Sequence, residues 1–154
     1  MGDSAKAGSA RRAGGRTMAQ MHADPGSSSS PHPLRLVVVD ADDRVRETLT
    51  RLLEIGDRVE IVGAAGEARL ALEIVEATAP DIVVVDPRLP EIESGLAFIS
   101  RLRAVAPAVR VVVMGGSDTP QLDDLTSAAD CVCRKTFRAG DLLTAILAGA
   151  VARP

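Results

Sequence analysis

From Leu34 onward, short apolar runs alternate with longer stretches in which apolar residues recur at helical spacing. L-R-L-V-V-V-D reads as a strand ending at Asp40, and residues 59–64 and 109–114 read as two more. The run I-V-V-V, residues 82–85, lies between Pro80 and Pro90 in a strand read as residues 81–86, which ends in the carboxylate of Asp86. Four β-formers without polar alternation indicate a strand buried on both faces of a parallel sheet. Cys131-Val132-Cys133 gives a short fifth strand. Between these runs, Asp43 offers a helix N-cap, and Val45, Leu49, Leu52 and Leu53 follow at helical spacing. Residues 67–78 form a second helix, with Leu70, Leu72, Ile74 and Val75 as its contacts and Pro80 as its stop. Leu96, Ile99, Leu102 and Val105 mark a third helix. A weaker fourth spans about residues 120–128, and Leu142, Leu143, Ile146, Leu147 and Val151 mark the fifth.

Five strands alternating with five helices specify a doubly wound α/β fold. Right-handed crossovers leave few topologies, and the expected order at this length is the flavodoxin-like 2-1-3-4-5. That order sets the first and third strands side by side. Asp40 and Asp86 then meet at one edge of the sheet, beyond the carboxyl ends of the strands, where ligands bind in such folds.

Residues 1–33 break the pattern: they are rich in Gly, Ala, Ser and Pro and almost free of large apolar side chains. Such a segment cannot offset its ordering entropy by burial and is read as a disordered tail. It carries Lys6, Arg11, Arg12 and Arg16 against Asp3 and Asp24, a net charge of +2, while residues 34–154 carry −5. The organised stretch, residues 34–151, is long enough for one domain with a real core.

Composition narrows the function. Phe98 and Phe137 are the only aromatics, which argues against a base-stacking nucleic-acid surface. No apolar run approaches the ~20 residues of a bilayer span, and no signal-peptide pattern opens the chain, so a cytoplasmic location is expected. Cys131 and Cys133 lack the companion ligands of a zinc site and read as small buried residues. The loop glycines, including Gly115-Gly116, match no phosphate-loop fingerprint.

The chemistry centres on Asp86. Two carboxylates ~5 Å apart at an effective dielectric near 20 repel by about 3 kcal/mol, so a cation is expected with them. Oxygen ligands of this kind suit Mg²⁺. Lys135, at the end of the fifth strand, supplies a second positive charge. Carboxylate, metal and lysine together suit phosphoryl transfer to Asp86 itself.

Three stretches, V-V-V-D with V-R-E-T-L following, P-D-I-V-V-V-D-P-R-L-P, and A-A-D-C-V-C-R-K, occur in an order and spacing that resemble the receiver domain of bacterial two-component response regulators. The resemblance covers residues 34–151. It implies that Asp86 is the phosphoacceptor, that Lys135 contacts the phosphoryl group, and that Asp40, Asp86 and the backbone carbonyl of Arg88 hold the metal. It also implies a sensor histidine kinase or phosphotransfer protein as donor, and at most self-phosphorylation and autodephosphorylation as enzymatic chemistry. Residues 119–151 would be the docking surface for a downstream protein or a second copy. No DNA-binding pattern follows the fifth helix, and the chain is read as a stand-alone or excised receiver.

The departures are specific. Ala41 stands where receivers carry a second acid, so Mg²⁺ is expected to bind weakly or not at all unless Asp42 swings in. Gly115 replaces the hydroxyl residue that usually ends the fourth strand, and Val132 replaces the aromatic switch residue. The glycine of E-S-G-L comes one residue late, as from an insertion. These losses point to an atypical member and keep open a second reading, a non-phosphorylated pseudo-receiver acting only by protein contact. A third reading takes V-V-V-D-A-D-D as the start of a haloacid-dehalogenase-like, Mg²⁺-dependent phosphatase with Asp40 as nucleophile and Asp42 as acid/base.

Overall fold

Valine runs form the strands, and amphipathic segments return over both faces of the sheet they build. A computed structural model of the chain describes residues 32–90, 95–116, 118–119, 121–135 and 138–151. The elements in order are β1 (Leu34–Val39), α1 (Asp43–Leu53), β2 (Val59–Ala65), α2 (Ala68–Thr78) and β3 (Ile82–Val85). They continue with α3 (Gly95–Val105), β4 (Arg110–Gly115), α4 (Leu122–Ala128), β5 (Cys131–Arg134) and α5 (Ala139–Val151). All strand pairs are parallel, and the sheet order is β2-β1-β3-β4-β5, as the pattern predicts. The expected tail falls on residues almost wholly outside those described.

Alternation along each strand divides the core in two. Val37, Val39, Val83, Val85, Val111 and Val113 face one side, where they pack with residues of α2, α3 and α4, among them Val75, Phe98 and Leu125. Leu36, Val38, Ile82, Val84, Val112 and Met114 face the other side and pack with Leu49 and Leu53 of α1 and Leu142 and Ile146 of α5. Both faces of the central strands are thus dry, which is why those strands show no polar alternation.

Two local expectations need correction. Asp42, not Asp43, caps α1: its carboxylate accepts the N–H groups of Arg44 (2.9 Å) and Val45 (3.1 Å), and Asp43 is the first helical residue. In α2 the buried positions are Ala68, Ala71 and Val75, whereas Leu70 is 40% exposed. Arg69, Glu73 and Glu76 mark the solvent face of that helix, and Leu70 sits on the flank between them and the core. The small residues lie against the sheet and allow the close approach, and a Cβ at Gly63 of β2 would lie only 2.4 Å from Ile74 Cγ2.

Strand register sets the site. Val39 of β1 lies opposite Val85 of β3, so the next residues, Asp40 and Asp86, leave the sheet side by side. The Asp86 N–H donates to the Val39 carbonyl at 2.9 Å and fixes that alignment. Gly115 of β4 lies opposite Arg134 of β5, which carries Lys135 to the same edge.

Candidate functional site

Asp40, Asp86 and Lys135 converge at the carboxyl ends of β1, β3 and β5. The Lys135 ammonium lies 2.6 Å from Asp40 Oδ2 and 2.7 Å from Asp86 Oδ2 and bridges the two carboxylates. Both acids are buried, with side chains 3% and 5% exposed, while Lys135 is 20% exposed. The Asp40 contact is a charge pairing without hydrogen-bond alignment, and Asp40 Oδ1 accepts the Asp42 N–H at 2.9 Å.

Arg88 brings a second cation to Asp86. Its Nε lies 3.2 Å from Oδ1 and its Nη2 3.2 Å from Oδ2, a two-pronged grip, and its backbone N–H donates to Oδ1 at 2.9 Å. With Lys135 on Oδ2, the carboxylate accepts four hydrogen bonds. A carboxylate offers about four lone-pair sites, so that of Asp86 is fully engaged. The remaining Arg88 nitrogen, Nη1, reaches the exposed carboxylate of Asp118 at 3.4 Å.

These contacts set the proton affinities. Burial works to raise the Asp86 pKa, but the hydrogen bonds from Arg88 and Lys135 outweigh it and hold the carboxyl below its ordinary value. Desolvation likewise works against the Lys135 ammonium, yet its close pairing with the carboxylates of Asp40 and Asp86 holds it above the usual lysine value. The pocket is therefore a set of ion pairs at neutral pH. Cys133, by contrast, is pushed up to about 11 by burial and then by Cys131, which makes it an unreactive thiol.

The other expected positions fall as follows. Asp42 places its Oδ1 on the N–H groups that start α1, and Ala41 contributes no side-chain oxygen. Val132 is half-buried and packs into the core beside α4. Gly115 is buried at the end of β4, and the glycine of E-S-G-L, Gly95, opens α3, where a Cβ would lie 2.3 Å from Pro87 Cβ. The expected insertion lies in residues 91–94, outside the described residues.

Two contributions were not foreseen. The Arg88 side chain, rather than only its carbonyl, belongs to the pocket. Its signal was a charged residue two places after Asp86, close enough to fold back. Thr119 is buried, and its hydroxyl accepts the Gly116 N–H at 2.8 Å. That hydroxyl also lies 2.8 Å from where a Cβ on residue 115 would sit. A cleft of about 260 Å³ opens beside the pocket, lined by Arg88, Gly115, Gly116, Asp118, Arg134 and Lys135. A larger cleft, about 580 Å³, lies at the opposite edge of the sheet around Leu34, Pro80 and Pro107 and holds none of these residues.

A doubly wound α/β sheet with a lysine-bridged pair of carboxylates at the carboxyl ends of its strands sets its charged groups where ligands bind in folds of this class. The chain belongs to the response regulator receiver domain family, whose sequence model matches residues 36–147. It is 34% identical over 106 residues to protein-glutamate methylesterase/protein-glutamine glutaminase 5 of Anaeromyxobacter dehalogenans, covering 69% of this chain and 29% of that protein. Among solved structures, the NarL signal receiver domain of Mycobacterium tuberculosis superposes with a TM-score of 0.70 at 28% identity, over 80% of this chain and 100% of that one. The response regulator domain of Thermotoga maritima CheB superposes at 0.68 with 21% identity, over 79% and 99%, a likeness of fold. The chain spans less than a third of the methylesterase relatives it matches.

Receiver domains bind Mg²⁺ at this acidic pocket. The residues present do not fit that ion well. Among the described residues no three carboxylate, imidazole or thiol side chains converge. The two carboxylates that do converge are already matched by Lys135 and Arg88. No helix among the described residues is long and apolar enough to cross a membrane.

Proposed function

We propose that this receiver accepts a phosphoryl group on Asp86 and passes the signal on by protein contact. The observation that carries the reading is the bridging of Asp40 and Asp86 by Lys135 within 2.7 Å. A carboxylate oxygen of Asp86 attacks phosphorus and forms the new O–P bond. The bond from phosphorus to the donor's leaving atom breaks, and its electron pair departs with the donor. Lys135 stays beside the product and offsets the charge gathered on the phosphoryl oxygens. A phosphorylated histidine of a kinase or phosphotransfer protein is the donor class, which places the chain in the cytoplasm. The surface formed by residues 119–151 is the docking face for a downstream partner or a second copy.

One observation favours a second reading, that of an unphosphorylated interaction module: every lone pair of Asp86 is engaged. Nothing comparable favours a phosphatase built on Asp40: the Asp42 it needs as acid/base serves as the N-cap of α1, its Oδ1 accepting two N–H groups of that helix. Intact-mass analysis after treatment with acetyl phosphate and Mg²⁺ separates the two readings. The phosphoacceptor reading expects a stoichiometric single-phosphoryl adduct in the wild type and none in Asp86→Asn. An unchanged wild-type mass sinks it and leaves the interaction module.

A further inference from the structure

The acidic pocket is already electrically closed. Two buried carboxylates face two cations, and the second cation is a guanidinium that keeps its charge at any pH a protein meets. Arg88 grips Asp86 through Nε and Nη2, both at 3.2 Å, and shares Oδ2 with the Lys135 ammonium that bridges to Asp40. Meanwhile the position that would supply a third oxygen ligand is Ala41, and Oδ1 of the neighbouring Asp42 caps α1. A divalent ion entering this set would meet a permanently charged guanidinium already paired with Asp86. We propose that Arg88 is itself the resident cation of the pocket, and that the site takes up a phosphoryl group without metal. The proposal rests on the phosphoacceptor reading of Asp86 and specifies how that site is charged.

The geometry suits an exchange of grip. The guanidinium fork matches two oxygens of a phosphoryl group as well as it matches a carboxylate. The Arg88 side chain is 50% exposed, and among the described residues its outer nitrogen meets the exposed Asp118 at 3.4 Å, so solvent reaches the guanidinium. The cleft it borders is also lined by Arg134 and Lys135 and by the backbone of Gly115 and Gly116. A phosphoryl group arriving there draws the guanidinium off Asp86 and uncovers the lone pairs of the attacking oxygen. Arg88 and Lys135 then hold the phosphoryl oxygens while the O–P bond to Asp86 forms. With acetyl phosphate, the bond between phosphorus and the acyl oxygen breaks and acetate leaves with its electron pair.

The test measures adduct formation from acetyl phosphate by intact mass, in EDTA and in millimolar Mg²⁺. It uses the full chain as wild type, Arg88→Ala and Arg88→Lys, with manganese titration followed by electron paramagnetic resonance. The expected wild-type rates agree within about twofold in the two media, against the roughly hundredfold loss typical when a charge-stabilising donor is removed. Arg88→Ala is expected to fall at least tenfold in EDTA and to recover with Mg²⁺. Arg88→Lys, which keeps the charge but not the fork, should fall between them. Wild type should take up no manganese at millimolar concentration. The proposal is overturned if EDTA slows the wild type tenfold or more. It is also overturned if Arg88→Ala in EDTA matches or exceeds wild type, which would make Arg88 a plug, or if wild type binds manganese. An absence of any adduct even with Mg²⁺ is a different result: it removes the phosphoacceptor reading and this proposal with it.

Discussion

At the end of β4 a threonine hydroxyl occupies the space where a side chain on residue 115 would begin. Thr119 Oγ1 accepts the Gly116 N–H, and the Thr119 N–H donates to the Gly116 carbonyl at 2.9 Å, so Gly116 and Thr119 hold each other by two hydrogen bonds. A Cβ at position 115 would stand 2.8 Å from that oxygen. Gly115→Ala is therefore expected to cost about 1–3 kcal/mol through overpacking. On a Thr119→Ala background the same change should cost much less. Urea unfolding of the four proteins of this double-mutant cycle checks it, and additive losses would exclude the contact. The spacing of the sequence marks position 115 as lacking a hydroxyl but cannot show one supplied four residues on, because that depends on how the turn closes. Arg88 was half legible for the same reason. Its place beside Asp86 follows from adjacency, whereas the direction of its side chain follows from the pocket's charge, which only the assembled strands create.

At the scale of elements, uninterrupted valine made the strands readable and left only their ends uncertain. β3 ends one residue before Asp86, and β4 runs to Gly115 rather than Met114. Helix faces were less readable, since α2 carries alanines toward the core and a leucine toward solvent. What joins the elements is least visible in one dimension. Asp130, before β5, accepts the Val111 N–H of β4 at 2.8 Å and pairs with Arg103 of α3 at 2.5 Å. Arg103 also donates to the Val109 carbonyl. One partly buried carboxylate thus ties α3, β4 and the entrance of β5 together. Asp130→Ala leaves a strand-edge N–H and a guanidinium without that acceptor and should cost about 1–3 kcal/mol, with Asp130→Asn losing less. Thermal unfolding that shows no difference between Asp130→Ala and wild type would remove this tie from the account.

For the whole molecule, the sheet order gathers residues far apart in sequence into one charged edge, over a core dry on both faces. That gathering was legible, because five alternating strands and helices leave few topologies and the commonest at this length, 2-1-3-4-5, sets Asp40 beside Asp86. Stability should carry the edge's signature in its pH dependence. The Asp86 carboxyl titrates below its ordinary 3.8 in the folded chain, after its hydrogen bonds outweigh burial. Its contribution is therefore present above about pH 4 and is lost as pH falls through the lowered folded value. Lys135 has the opposite sign. Its folded pKa lies above the ordinary 10.5, so its contribution is full below that value and is lost as pH rises through the raised one. Together they predict a plateau between about pH 5 and pH 10, with a fall on each side. Asp86→Asn removes the first titration and keeps the pairing of Lys135 with Asp40. The stability of wild type relative to Asp86→Asn should therefore decline as pH drops from about 5 toward 2 and hold steady through neutral pH. Urea midpoints collected for both proteins across that range are the measurement, and a difference that stays constant down to the acid end would mean Asp86 is not held ionised by Arg88 and Lys135.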